Sequence, residues 1–270
     1  MLERLRLDGR VAVVTGAGRG LGQAMAKALA AAGTRVVCAA RTQAQIDQTV
    51  AEIRAVGGTA ITQTCDVTQS KQVDALVDRC ISEFGRIDIM VANAGGGGAP
   101  VDAEFWDYPD DAFDAVLATN LKSNFYSSRA AARHMVSQGD GGSIINVASG
   151  TALRGNRTFA YPTAKGGVIS LSKSAANMLA PHHIRVNTIV PGFVLQAPPQ
   201  GDVAEQVAAQ RGSRIPVRRL GEWWELGPLC VYLASDASSY VTGHAFTIDG
   251  GGLAGGLGPV DFVPQHELGA

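Results

Sequence analysis

Arg10-Val-Ala-Val-Val-Thr15-Gly-Ala-Gly-Arg-Gly-Leu-Gly22 is the stretch on which the fold turns. A short apolar run, β-branched at three of its four positions and ending in glycines, reads as a parallel strand buried on both faces. Leu21, Ala24, Met25, Ala28 and Leu29 then recur at helical spacing. Strand, Gly-rich turn and helix together make the context of a phosphate site. The glycines let the backbone turn and approach a pyrophosphate, while the helix N-terminus offers free N–H groups and a positive dipole end. The common G-x-G-x-x-G spacing would need a glycine where Leu21 stands. The pattern that fits is T-G-x-x-x-G-x-G, through Gly16, Gly20 and Gly22. No Gly-Lys-Ser/Thr follows, so a P-loop nucleotidase is excluded on pattern.

Working outward, Thr34–Ala40 reads as a second strand. A site for NAD usually carries an acid at the end of this strand, to bind the ribose 2′-hydroxyl. Here Ala40 and Arg41 stand there, and Arg19 lies in the glycine loop. Two guanidinium forks suit a 2′-phosphate, so the expected cofactor is NADP(H) rather than NAD(H). The alternation continues. Ile46, Val50 and Ile53 make a helical stripe stopped by Gly57-Gly58, and Ala60–Cys65 is a strand running into Asp66-Val67. Val73 to Phe84 is a second stripe, and Gly85–Ala92 is a strand closing on Asn93-Ala94-Gly95. Strands alternating with helices predict an α/β fold, a single-domain doubly wound parallel sheet of the Rossmann type. In such sheets ligands bind at the carboxyl ends of the strands, where Asp66, Asn93 and Gly95 fall.

The bulk numbers agree. The 270 residues are 46% hydrophobic and 17% charged with 33 glycines, a profile for one large core and many tight turns. A net charge of −1 gives no field for nucleic acid or an anionic membrane. Cys38, Cys65, Cys80 and Cys230 show no CxxC spacing, so neither a disulfide framework nor a metal site is expected, and a reducing cytoplasm fits best. The start of the chain has no secretory h-region, and no stretch approaches the roughly 20 apolar residues of a membrane span.

The second half carries the chemistry. Phe113–Val136 reads as one long helix with Asn120 in its middle, a poor place for an amide that competes for backbone groups. Ser143–Ala148 is a fifth strand with Ser149 at its end. Tyr161 opens a helix with Pro162 in the first turn, where a missing N–H does no harm. Tyr161 and Lys165 are four residues apart and share a helical face, and a cation near a phenol favours the phenolate. Ile184–Val190 is a sixth strand ending in Pro191-Gly192. A stretch rich in Pro, Gly and Gln comes next, then a helix over Trp224–Leu233. His244–Asp249 is the seventh strand, closed by Gly250–Gly252.

Thr15-Gly-x-x-x-Gly-x-Gly22, Asp66-Val67, Asn93-Ala-Gly95, Asn120, Ser149, Tyr161-x-x-x-Lys165, Pro191-Gly192 and Val241-Thr-Gly243…Asp249-Gly-Gly251 run in one order over nearly the whole chain. In this the sequence resembles the short-chain dehydrogenase/reductase family, most closely its 3-oxoacyl-carrier-protein reductases and sugar or polyol dehydrogenases. The resemblance implies that Tyr161 is the general acid or base. It implies that Lys165 lowers the Tyr161 pKa and binds the nicotinamide ribose, and that Ser149 polarises the substrate carbonyl. Asn120 would hold a water in a relay with Lys165. Asp66 and Val67 would meet the adenine; Asn93, Ala94 and Gly95 would line the cofactor path; Val194, after Pro191 and Gly192, would meet the carboxamide. Leu21 would join Gly16, Gly20 and Gly22 in the glycine loop.

The resemblance further implies a homotetramer acting on a small carbonyl or alcohol. Residues 1–252 would form the domain, with a substrate loop at about 193–216 and a tail over 253–270. Three departures stand out. Ser149 and Tyr161 are twelve residues apart where the family has thirteen, Gln196 stands where the family often has Thr, and the tail exceeds the usual ending. Gly96–Gly98, Leu153, Asn156, Phe159 and Phe193 are expected to line the substrate. Arg154 and Arg157 are candidates to favour an anion. Enoyl reductases space Tyr and Lys by six residues, unlike this chain. A non-catalytic NADP-binding protein is the rival from another class.

Overall fold

The computed structural model describes residues 2–96, 103–154 and 158–255. Seven strands form one wholly parallel sheet in the order β3-β2-β1-β4-β5-β6-β7. They are β1 Val11–Thr15, β2 Arg35–Ala40, β3 Thr59–Thr64, β4 Ile89–Ala92, β5 Gly142–Val147, β6 Ile184–Pro191 and β7 Ala245–Ile248. Between them run α1 Gly20–Ala31, α2 Gln43–Ala55, α3 Ser70–Phe84, α4 Asp110–Leu117, α5 Ser123–Gln138, α6 Ala160–Leu179, α7 Asp202–Gly212 and α8 Leu226–Ala234. This is the doubly wound sheet the sequence predicts.

Strand alternation sorts the core into two layers, because successive side chains point to opposite faces. Ala12, Val14, Val36, Cys38, Ile89, Val91, Ile145 and Ile189 meet Met25 and Leu29 of α1, Ile46, Val50 and Ile53 of α2, and Leu226, Cys230 and Leu233 of α8. Val11, Val13, Val37, Met90, Ile144 and Val186 turn the other way, onto Val73, Leu76, Val77 and Cys80 of α3 and Ala130, Ala131 and Met135 of α5. All four cysteines are free and buried in these layers; burial pushes Cys38, Cys80 and Cys230 up to about 12.

Two sequence-based expectations need correction. The helix expected over Phe113–Val136 is interrupted by a π-helical turn at Ala118–Lys122, where the Ser123 N–H reaches back five residues to the Ala118 carbonyl. Such single widened turns displace backbone bonds locally and gather at functional sites. The stretch after β6, expected as a substrate loop at about 193–216, contains α7. That helix was illegible because it leaves its valines outside the core: Val203 is 76% exposed and Val207 41%.

At the amino ends of the strands, Asp88 is 2% exposed and holds three groups. It accepts from the Val11 N–H at 2.8 Å, pairs with Arg86 at 2.7 Å and faces Arg10 at 3.7 Å. This pins the starts of β1 and β4, at the opposite edge from the glycine loop. Asp88→Ala leaves the buried Val11 N–H without its acceptor, and leaves Arg86 and Arg10 only the exposed Asp140 and Asp236; it is expected to cost about 3 kcal/mol, measured by urea unfolding.

Candidate active site

β1 and β4 are neighbours in the sheet, yet the connections after them depart in opposite directions, which opens a crevice at their carboxyl ends. Thr15, at the end of β1 and 1% exposed, ties that crevice together. Its hydroxyl donates to the Val91 carbonyl at 3.3 Å and accepts from the N–H groups of Asn93 and Ala94 at 3.0 and 3.1 Å. Asn93 answers with its amide, donating to the Thr15 carbonyl at 2.9 Å and the Gly16 carbonyl at 3.4 Å. Gly16 adopts φ +67°, open to glycine at little cost. A Cβ on Gly22 would collide with the Gly16 carbonyl and the Asn93 amide. Glycine here lets the start of α1 close onto the loop.

The crevice is a cleft of about 610 Å³. It brings together twelve of the expected site residues: Gly16, Arg19, Leu21, Gly22, Arg41, Asp66, Val67, Asn93, Ala94, Gly95, Tyr161 and Lys165. Arg19 and Arg41 line one end, both exposed and without an acidic partner among the described residues. Asp66 beside them accepts from the N–H and hydroxyl of Thr68, which fixes its carboxylate in a tight turn. Gly20 lies under Gln196, whose amide oxygen occupies the space a Cβ there would need. Sequence reading noted Gln196 as a departure but not that it reaches back over the glycine loop.

Gly192 falls in a smaller hollow with Gly150, Arg154 and Phe193. Pro191 ends β6. Val194 bridges to Gly221, clasped by the Gly221 N–H to the Phe193 carbonyl at 2.9 Å and the Leu195 N–H to the Gly221 carbonyl at 2.8 Å. Leu153 is exposed, and the Phe159 ring packs against Phe105, Tyr108 and Phe113. Gly97, Gly98, Asn156 and Arg157 lie outside the described residues, as do positions 256–270 of the tail.

At the inner end, Tyr161 and Lys165 project from the first turns of α6. The Lys165 Nζ lies 5.9 Å from the Tyr161 ring centre and donates to the Val147 carbonyl at 2.8 Å. Ser149, just after β5, accepts from the hydroxyl of Thr151 at 3.0 Å and lies close enough to Tyr161 to draw its phenol pKa down. The phenol's shift runs opposite to the pull expected of a nearby cation. Burial raises the Tyr161 pKa, and the opposing pull comes from Ser149 rather than from Lys165. Lys165 is only 2% exposed, and burial lowers it from 10.5 to about 8.

Asn120 is fully buried on the π turn, with its side chain completely engaged. Its amide donates to the carbonyls of Gly96 at 2.8 Å and Val116 at 3.0 Å, and its Oδ1 accepts from the Gly96 N–H at 2.9 Å. Its main-chain carbonyl takes the Asn124 amide at 3.0 Å. Asn120 thus holds the loop after β4 in place. Gly95 fits between Asn120 and Lys165: a Cβ there would stand 2.8 Å from Oδ1 and 3.1 Å from Nζ.

An ammonium in so dry a place strains the fold. A pKa held near 8 rather than 10.5 costs about 3 kcal/mol at pH 7, where both folded and unfolded chains carry the proton. The penalty shrinks as pH rises from 8 towards 10.5, because the folded chain loses the proton first. Lys165→Met is therefore expected to be about 1–3 kcal/mol more stable than the parent at pH 7, with the gap closing above pH 8. Thermal unfolding without nucleotide, across that pH range, checks both parts.

A family model described as enoyl-(acyl carrier protein) reductase matches residues 16–252. The chain is 40% identical over 257 residues to 2-dehydro-3-deoxy-D-gluconate 5-dehydrogenase of Escherichia coli K12, covering 94% of this chain and 99% of that one. A solved short-chain dehydrogenase/reductase from Mycobacterium marinum superimposes with a TM-score of 0.85 at 41% identity, over 93% of this chain and 98% of that one. A protein from Beutenbergia cavernae, solved with NADP at low occupancy, gives 0.83 at 32% identity over 93% and 99% of the two chains. With a parallel seven-stranded sheet, a glycine loop at its switch point and Tyr161 and Lys165 lining the cleft there, the chain belongs to the short-chain dehydrogenase/reductase family of nicotinamide-dependent oxidoreductases.

Proposed function

We propose that the protein interconverts a ketone and a secondary alcohol with NADP(H), using Tyr161 as general acid in reduction and general base in oxidation. The observation that carries this reading is Tyr161 beside the buried Lys165 in the cleft wall, the Lys165 Nζ 5.9 Å from the phenol ring centre. The cleft fits a dinucleotide because its backbone approaches closely where Gly16, Gly22 and Gly95 forgo side chains, while Arg19 and Arg41, without an acidic partner among the described residues, also line it. Arg19 and Arg41 would hold the 2′-phosphate, Asp66 and Val67 the adenine, and Gly16, Gly20, Leu21 and Gly22 the diphosphate. Asn93, Ala94 and Gly95 would line the path to the nicotinamide, Lys165 its ribose, and Pro191, Gly192 and Val194 its carboxamide. When bound, the cofactor supplies or accepts the hydride.

The side chains manage the proton. Ser149 donates to the substrate oxygen and polarises the carbonyl. As charge builds on that oxygen, the Tyr161 phenol hands over its proton, and the phenolate left behind forms next to the Lys165 ammonium. A buried cation is worth more to that phenolate than a solvated one, because little water screens it. Burial raises the resting phenol, so Tyr161 stays protonated until the substrate oxygen needs the proton. Asn120, locked to Gly96, keeps Gly95 pressed against Lys165. The protein is taken to work as a cytoplasmic homotetramer, a state that light scattering on the purified chain would measure.

Tyr161→Phe keeps the ring and loses the proton. It is expected to lower kcat by roughly 10²–10⁴-fold with a reactive diketone while NADPH still binds, as read by nucleotide fluorescence. Unchanged turnover would leave only a nucleotide-binding role. Arg41→Asp trades a phosphate-binding fork for the acid that favours a free 2′-hydroxyl. The ratio of kcat/KM for NADPH over NADH should fall by roughly 10–100-fold.

A further inference from the structure

A small hollow is built by the loops that follow two neighbouring strands, Gly150–Arg154 after β5, next to Ser149, and Gly192–Phe193 after β6. Arg154 ends the short 3-10 turn that starts immediately after Ser149, its N–H bonded to the Thr151 carbonyl at 3.3 Å. Its guanidinium sits over the Phe193 ring, 5.3 Å from the centroid, so the cation bridges the two loops. That contact uses the charge and consumes no N–H donor. Among the described residues the guanidinium has no acid within ion-pair distance and makes no hydrogen bond. Asp249 shares the hollow, but its two carboxylate oxygens accept the main-chain N–H groups of Gly251 at 2.9 Å and Leu253 at 2.7 Å. A partly buried cation with idle donors, fixed on an aromatic ring a few residues from the serine that meets the carbonyl, is arranged for an anion.

We propose that Arg154, seated on Phe193, binds a carboxylate of the substrate, so that the natural substrate is a keto or hydroxy acid; this rests on the carbonyl–alcohol reading above. A carboxylate suits the place better than a phosphate. It is a planar monoanion that one guanidinium fork meets with two parallel hydrogen bonds. A phosphate dianion would call for further cations, and among the described residues the hollow holds only Arg154, together with Asp249. The binding free energy gained at one end of the substrate also fixes the distance and orientation of the carbonyl at Ser149 and Tyr161.

The test uses the full chain with NADPH and three acids, 2-ketogluconate, 5-ketogluconate and 4-oxopentanoate, each paired with its methyl ester. The parent is expected to prefer at least one acid over its ester. In Arg154→Gln the acid-to-ester ratio of kcat/KM should fall roughly 10–100-fold, mostly through KM for the acid, the size expected for a lost charge-assisted pair. Arg154→Lys should recover part of the ratio, because it keeps the charge and loses the fork. A merely structural Arg154 would lower both rates together and leave the ratio unmoved, which overturns the proposal. A parent that reduces neutral diketones but none of the acids also overturns it, while the oxidoreductase reading stands. A parent that binds NADPH and reduces no carbonyl removes that reading and the carboxylate site with it.

Discussion

The reciprocal clasp between Thr15 and Asn93 is the constraint on which the molecule depends. Two strands side by side, with connections leaving in opposite directions, would leave a crevice whose walls are free to splay. One hydroxyl satisfies two N–H groups of the loop after β4, and one amide returns to the carbonyls of the loop after β1. Buried main-chain groups left unpaired would each cost on the order of 1–3 kcal/mol, so the crevice holds a single shape. The close approach of α1 through Gly22, directly over the Asn93 amide, follows from that shape.

A second constraint is laid on the first. The loop after β4 carries Gly95 and Gly96 onward to Asn120, and the π turn presents Asn120 inward where a regular helix would direct its bonds along its own axis. The widened turn leaves carbonyls for side chains to take: Asn120 reaches Val116, Ser123 reaches Thr119 and Asn124 reaches Asn120. A poor helix former in mid-helix is thus tolerated because the helix there is not regular. It contributes a rigid wall behind Gly95, and so behind Lys165.

Most of this was legible because buried parallel strands announce themselves as β-branched apolar runs, and because glycine loops and Tyr-x-x-x-Lys have fixed spacing. All seven strands lie where the runs lie. What escaped did so for identifiable reasons. The π turn has no compositional mark other than Asn120 itself, and α7 has no apolar stripe that the core claims. Gln196 crosses a long interval of sequence to reach Gly20, a contact that only the folded path creates. The sign of the Tyr161 shift is not legible because sequence shows which charges are near but not how much water is excluded. Here exclusion outweighs the opposing pull of Ser149.

The cysteines carry a consequence of their own. A thiol reacts through its thiolate, and at neutral pH a group pushed up to about 12 offers almost none. Cys65, at the end of β3 beside Asp66, is held at about 11 by burial and by that neighbouring carboxylate, although it forms part of the cleft wall. Sulfur therefore lies within reach of the nucleotide pocket yet stays chemically quiet. An exposed, low-pKa thiol in the same wall would be open to peroxide and glutathione; burial closes that route here.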